Sequence, residues 1–218
     1  MCTLELGRAT NTGDAVGTTI ETADVPPDLG ERFAAIARAF TGPIAQIPPM
    51  YSAVQIDGER LYDLARAGKT VERAARNVTI YALTLLGCEE RTLRLRIACS
   101  EGTYIRTLCE DLATALGTVG HMGALLREAS GPFVLYEAKL LEDIIADPGG
   151  ALVPPEHVIP IPTIVLDGRD ATDFRAGRTV ALAVAPAEKH VFVRDQARLL
   201  VGVGETVGTL LSPRKVFV

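Results

Sequence analysis

The 218-residue chain has no tryptophan, only three histidines and four cysteines, and none of these form a cluster. Cys2, Cys88, Cys99 and Cys109 are widely spaced, with no CxxC pair and no paired histidines nearby, which argues against structural zinc. In a reducing compartment the same spacing argues against a disulfide scaffold, so buried free thiols are expected. His121, His157 and His190 lie far apart, and no metal site is expected. No run of 18 apolar residues occurs, so no membrane-spanning helix is expected. The opening MCTLELGRAT lacks the basic start and apolar stretch of a signal peptide, and a cytoplasmic protein is expected. Walker loops, GxGxxG, GxSxG and HExxH are all missing. Nucleotide hydrolysis, dinucleotide redox chemistry and zinc proteolysis therefore have no support.

What is present is enough apolar material for a proper core: 48% hydrophobic residues against 22% charged, with no charge-rich tract. The length suits one large domain or two unequal ones. The net charge of −5 argues mildly against nucleic acid, but the distribution is uneven. Residues 1–150 hold 14 Lys and Arg against 20 Asp and Glu, whereas residues 151–218 hold 8 against 7. Between 60 and 78, Arg60, Arg66, Lys69, Arg73 and Arg76 face only Asp63 and Glu72. A phosphate backbone responds to such a local strip rather than to the total. The plain alternative is a solvated helix surface.

Periodicity sets out an α+β chain. CTLELG alternates as a strand that begins at Met1, so further residues are expected upstream, and residues 2–6 are expected to offer an exposed strand edge. Asp28 and Glu31 form a capping-box signature for a helix over 29–40, with Leu29, Phe33, Ile36, Ala37 and Phe40 as its apolar stripe. A turn is expected at Asp57-Gly58, then a short helix from Glu59 to Ala67 closed by Gly68. Val78–Leu86 and Thr92–Ala98 read as paired strands, the second with Leu93, Leu95 and Ile97 on one face. Thr103 is placed to cap a helix reaching Leu116, closed by Gly117. HMGALLREASGPF reads as a helical turn running into a strand, and Lys139–Ile145 as a short helix. Five prolines in 147–162 mark a boundary. The expected division is a domain at 1–147, a linker at 148–162, and a Val- and Gly-rich small β-barrel at 163–218 preceded by a helix near 167–176.

Few residues carry chemistry. Tyr104 and Arg106 put a ring and a guanidinium at a helix start, where one stacks on a base and the other holds a carboxylate or phosphate. The alternative is a boundary tyrosine and a surface arginine. Pro48-Pro49 fixes the approach to Tyr51, which either meets a ligand or packs on its own domain. His121 either touches RNA or caps a helix, and Asp14 reads as a turn residue.

Four ordered segments then align with one family. LGRATNTGDAVG at 6–17, IPPMYSAVQIDGERLYDLARAG at 47–68, CSEGTYIRTLCEDLATALG at 99–117 and GHMGALLREASGPF at 120–133 together resemble the TruB-type tRNA pseudouridine synthases. The likeness runs over roughly 4–146 with little need for gaps, and RAGR at 175–178 with LLVGVG at 199–204 is similar to the PUA-type RNA-binding barrel. It implies an α+β catalytic domain that isomerises uridine 55 in the tRNA T arm, without cofactor or metal. The nucleotide is flipped out, its base–sugar bond broken beside a carboxylate, and the base rejoined through carbon. By position Tyr104 contacts the flipped base, Leu125 adds an apolar wall, and Arg106 pairs with the catalytic carboxylate and keeps it ionised. Tyr51, Arg60, Arg66, Lys69 and His121 face the RNA. A monomer is expected.

Two departures bear on activity. The family's aspartate lies in a Gly-x-Leu-Asp-Pro stretch upstream of the point where this sequence begins, as does an aromatic that stacks on the base, so the chain is expected to be N-terminally truncated and inactive alone. Gln55 replaces a common Lys and Leu126 a common Arg, both of which weaken RNA contacts. The alternative from another class is a non-catalytic tRNA-binding or tRNA-folding protein of the same descent.

Overall fold

Alternating apolar residues in three long segments, CTLEL, NVTIYALTLL and TLRLRIAC, set up a sheet with one buried face. The computed structural model describes residues 1–56 and 58–217, and the Asp57 half of the expected Asp57-Gly58 turn lies outside them. The chain divides into two compact units, Met1–Glu128 and Ala129–Val218.

In the first unit, β1 (Cys2–Leu6), a small antiparallel pair β2 (Arg8–Thr10) and β3 (Thr19–Thr22), and α1 (Leu29–Ala37) come first. There follow β4 (Gly42–Gln46), β5 (Gln55–Ile56), β6 (Glu59–Arg60), α2 (Leu61–Arg66), β7 (Arg76–Glu89), β8 (Thr92–Cys99), α3 (Ile105–Ala115) and β9 (Gly120–Leu125). The sheet runs β4-β7-β8-β1-β9, antiparallel throughout. Leu4 and Leu6 of β1 and Leu93 and Leu95 of β8 form one buried face with Leu29 and Phe33 of α1 and Leu108 and Leu112 of α3. Each of these leucines fills the space completely enough that truncation to alanine costs roughly 2–5 kcal/mol.

Five local expectations are corrected. Residues 2–6 are not an edge: β1 is flanked by β8 and β9. The Asp28–Glu31 capping box is not made, because Asp28 adopts a left-handed backbone (φ 59°) and its side chain takes no amide of the first turn. The helix also stops at Ala37, a 3-10 turn carrying the chain on to Phe40. Thr103 does not cap α3; its hydroxyl donates to Ser100 O at 2.9 Å, and Tyr104 is the cap residue. HMGAL is a strand rather than a helical turn, since β1 offers it a row of main-chain partners from Leu6↔Gly120 to Cys2↔Leu125.

The second unit holds a two-residue hairpin, β10 (Ala129–Ser130) and β11 (Phe133–Val134), and α4 (Leu141–Ala146). The Pro-rich stretch follows inside this unit as two 3-10 turns, Gly149–Ala151 and Pro155–His157. Next come β12 (Thr163–Val165), α5 (Gly168–Arg175), β13 (Val180–Ala181), β14 (His190–Arg194), β15 (Leu200–Val207) and β16 (Leu210–Val216). They form a sheet ordered β12-β14-β15-β16-β13 with α5 packed on it. Asp167 caps α5 by accepting from the amides of Arg169 and Asp170 at 3.1 and 2.9 Å. The glycines of LLVGVG have a packing cause. A Cβ at Gly202 would lie 3.0 Å from the Phe174 ring and 2.1 Å from Lys215 O, and one at Gly204 would lie 2.4 Å from Leu211 Cδ1.

Candidate functional site

The start of α3 is where the first unit concentrates its polar long-range contacts. Gln46, the last residue of β4, is almost fully buried and turns its amide onto Tyr104: Oε1 accepts from Tyr104 N at 3.1 Å and Nε2 donates to Tyr104 O at 3.3 Å. Tyr104 O also accepts the first α3 bond, from Leu108 N at 3.0 Å. The cap residue is thereby fixed without a side-chain cap of its own, and its half-buried ring is set by the extended backbone before the helix.

Two residues on, the guanidinium of Arg106 joins two loops. Nη1 donates to Thr12 O at 3.0 Å and lies 3.4 Å from Asp14 Oδ2, while Nη2 donates to Tyr51 O at 2.6 Å. Both side chains of the ion pair are about a fifth exposed, 21% for Arg106 and 23% for Asp14. Partial desolvation strengthens such a pair relative to one on open surface. The planar fork makes the bridge possible, because a single ammonium has no rigid pair of diverging donors.

Asp14 is therefore more than the turn residue it reads as. Its Oδ1 accepts from Thr12 Oγ1 at 2.6 Å, its main chain bridges to Met122 of β9, and Met122 N donates to Gly13 O at 3.0 Å. Gly13 carries φ +71°, and a Cβ there would lie 2.7 Å from Glu110 Oε1. Glu110 sits one turn after Arg106 on α3; burial first, then the neighbouring charge of Asp111, pushes its carboxyl up, while Arg106 and Arg73 pull it down without cancelling the rise. Burial likewise pushes up the Asp111 carboxyl.

Tyr51 is half-buried, its ring edge-on to Tyr62 at 6.1 Å between centroids, and the Arg66 guanidinium lies 5.5 Å over the Tyr62 ring. Arg60, Arg66 and Lys69 are exposed, as is Arg76. Arg73 departs from this strip, since its Nη1 donates inward to Pro48 O at 3.1 Å. Leu125, 49% exposed, stands at the end of β9 opposite Cys2 and lines a hollow of about 280 Å³ with Met1, Leu86, Arg94 and Leu126, among others. Neither Tyr104 nor Arg106 lines that hollow.

His121 is corrected. Its side chain is fully buried, with Nδ1 2.8 Å from Arg8 O and Nε2 3.0 Å from Arg8 Nη2 and 3.3 Å from Glu5 Oε2. A carbonyl only accepts, so Nδ1 carries the hydrogen and Nε2 accepts from Arg8. The ring ties β9 to β2 and caps no helix, and its full burial argues against the RNA-facing role. Sequence reasoning passes over Gln46 and Glu110, and reads Asp14 only as a turn. No spacing rule joins Asp14 to Arg106 across 92 positions, and the only cue is the pairing of acid and glycine in TGDAVG.

The fold class has counterparts among solved structures. The chain superposes on a protein of a Cbf5-Nop10-Gar1 complex with a TM-score of 0.59 at 20% identity, covering 98% of this chain and 64% of that one. It matches a protein of an H/ACA RNP bound to a substrate RNA containing 2'-deoxyuridine with a TM-score of 0.60 at 20% identity, covering 100% of this chain and 64% of that one. These likenesses establish a shared α+β fold and nothing finer. Sequence narrows it. The profile of the TruB family pseudouridylate synthase N-terminal domain matches residues 1–105, and that of the tRNA pseudouridylate synthase B C-terminal domain matches 106–147. The tRNA pseudouridine synthase B of Pseudomonas putida (strain GB-1) is 42% identical over 223 residues, 98% of this chain and 73% of that protein. Its namesake in Burkholderia lata (strain ATCC 17760 / DSM 23089 / LMG 22485 / NCIMB 9086 / R18194 / 383) is 41% identical over 227 residues, 99% of this chain and 70% of that protein. The chain belongs to the TruB family of pseudouridylate synthases.

Proposed function

We propose that this chain supplies the base-holding and RNA-facing part of a tRNA pseudouridine synthase site that acts on uridine 55 of the T arm. The observation that supports this most is Arg106. One half-buried fork holds the Thr12–Asp14 turn and the Tyr51 loop together at the helix start that presents Tyr104. A flipped uracil is uncharged and a poor leaving group, so a site for it needs a stacking ring and a fixed cation beside an ionised carboxylate. Tyr104 is the ring in this reading and Arg106 the cation. Leu125 is proposed as the apolar wall on the strength of family position alone, and residues 163–218 as a PUA-like RNA-binding domain.

The phosphate backbone is met by Arg60, Arg66 and Lys69, with Tyr51 beside them. No residue of 1–218 is assigned as nucleophile, because Asp14, Asp57 and Asp111 each match a family position other than the aspartate of Gly-x-Leu-Asp-Pro, a stretch that these 218 residues do not contain. The 218-residue polypeptide alone is accordingly expected to bind tRNA and to leave its uridines unchanged. That Arg106 already bonds Thr12 O, Asp14 and Tyr51 O of its own chain favours a second reading, a tRNA-binding or tRNA-folding protein that performs no chemistry.

The test combines filter binding of a T-arm-containing tRNA at several salt concentrations with a pseudouridine assay on the same sample. Binding that weakens steeply with salt, with no pseudouridine formed, is expected. Pseudouridine made by the purified chain and abolished by Arg106→Ala would overturn the assignment of an inactive chain. Absence of tRNA binding at low salt would overturn both readings.

A further inference from the structure

Local preference and structure disagree about where α3 starts. Threonine is a favoured N-cap, whereas a tyrosine side chain has no group that reaches its own first-turn amides. Yet Tyr104 is the cap residue, extended at φ −95° and ψ 106°, and its side chain makes no cap bond. Thr103 instead turns its hydroxyl back to Ser100 O at 2.9 Å. Something outside this turn holds Tyr104 out of the helix.

The buried carboxamide of Gln46 is in place to do so. Among the described residues its only partners are the main-chain groups of Tyr104. Oε1 accepts from Tyr104 N at 3.1 Å and Nε2 donates to Tyr104 O at 3.3 Å, the same two-bond exchange that joins residues across an antiparallel ladder. An N–H only donates and a carbonyl only accepts, so the carboxamide has one orientation. The clasp fits one backbone state. Extended backbone turns the N–H and C=O of a residue to the same side, whereas a helix points them to opposite ends of its axis. A helical Tyr104 would break the pair and strand the buried carboxamide.

We propose that Gln46 is a positioning residue for the ring that meets the base: by clasping both main-chain groups of Tyr104 it keeps that residue extended, excludes a Thr103-capped start of α3, and so aims the Tyr104 ring. Gln46 ends β4, an edge strand paired with β7, so the clasp anchors the helix start to the sheet. The next residues lie along the same first turn, with Thr107 Oγ1 donating to Ile47 O at 3.5 Å and Arg106 to Tyr51 O at 2.6 Å. Drawn into the helix, the ring would follow the helical Cα–Cβ direction, back over the preceding turn. The consequence for RNA rests on the assignment of Tyr104 to the base made above; the start of α3 does not.

Tyr104 can be followed by nuclear magnetic resonance in the full chain isotope-labelled on tyrosine, since there are five tyrosines and Tyr104→Phe removes one signal. Its Cα and Cβ shifts should report extended backbone in the wild type and helical backbone in Gln46→Ala, with those of Tyr81 on β7 unchanged. Filter binding then compares a T-arm stem-loop with one lacking the base at the target uridine. The wild type should prefer the intact RNA by about five-fold or more, the worth of one base on an aromatic ring. Gln46→Ala, with the ring still present, should lose that preference as fully as Tyr104→Ala, and the double variant should lose nothing more. Ile44→Ala, which removes packing from the same strand, should lower the melting temperature and keep both the shifts and the preference. Extended shifts in Gln46→Ala, or an undiminished preference where the wild type has one, would overturn the proposal. A wild type indifferent to the base removes the assignment of Tyr104, while helical shifts in Gln46→Ala still uphold the clasp. Should Gln46→Ala fold poorly, amide exchange of the wild type decides: a protected Tyr104 N–H supports the clasp, and one exchanging as fast as an unbonded amide overturns it.

Discussion

Gln46 and Tyr104 are paired amide to main chain, with the side chain of one residue accepting from and donating to the backbone of the other at 3.1 and 3.3 Å. Fifty-eight positions separate them, yet this pair sets where α3 begins and hence where the Tyr104 ring stands. Gln46→Ala strands a buried N–H, and the expected loss is about 1–3 kcal/mol in urea unfolding followed by circular dichroism. Gln46→Glu is the sharper variant. It retains the acceptor for Tyr104 N but sets a carboxylate oxygen against Tyr104 O, and it should lose at least as much.

Arg106→Lys should behave almost as badly as Arg106→Ala. The ammonium reaches one loop and not both, so the Thr12 turn and the Tyr51 loop come apart. Losing the equivalent of one charge-assisted bond, worth roughly 1.5–3 kcal/mol, predicts tRNA affinity down by about 10- to 150-fold in filter binding. Equal affinity for Lys and wild type would remove the bridging role.

Arg60→Ala, Arg66→Ala and Lys69→Ala are predicted to act through salt dependence. A side chain that neutralises one phosphate should, when truncated, lower the slope of log affinity against log salt by about 0.7–0.9. The melting temperature should barely move, since all three side chains are exposed. Arg73→Ala should differ from them, because it frees Pro48 O and alters the loop while leaving the salt slope as it is.

His121→Ala is predicted to leave the salt slope intact and to destabilise the first unit. It deprives Arg8 of an acceptor and Arg8 O of a donor inside the protein, a cost of roughly 1–3 kcal/mol for the unpaired groups. A variant that folds normally and binds tRNA with a lower slope would restore the RNA-facing role that burial argues against.

The strands are legible where one face is buried. Leu93, Leu95 and Ile97 alternate with Arg94 and Arg96, and the observed β8 follows that pattern. β9 is not legible, because HMGAL carries little alternation of its own and becomes a strand by pairing with β1. The failed cap at Asp28 shows the same limit, for a capping signature specifies residue types but not the backbone angle that aims the side chain. Within the site, Tyr104 and Arg106 stand out locally at a helix start. Asp14, Gln46 and Glu110 acquire meaning only once distant segments meet, and no local pattern encodes that meeting.

The aromatic inventory gives the molecule a built-in optical reporter. With no tryptophan, ultraviolet emission comes from five tyrosines alone. Tyr51, Tyr62 and Tyr104 belong to the segments gathered around Arg106, with Arg66 over one of those rings. In a label-free titration with nucleic acid three of the five tyrosines therefore report on these segments, while Tyr81 of β7 and the exposed Tyr136 of the second unit report from elsewhere.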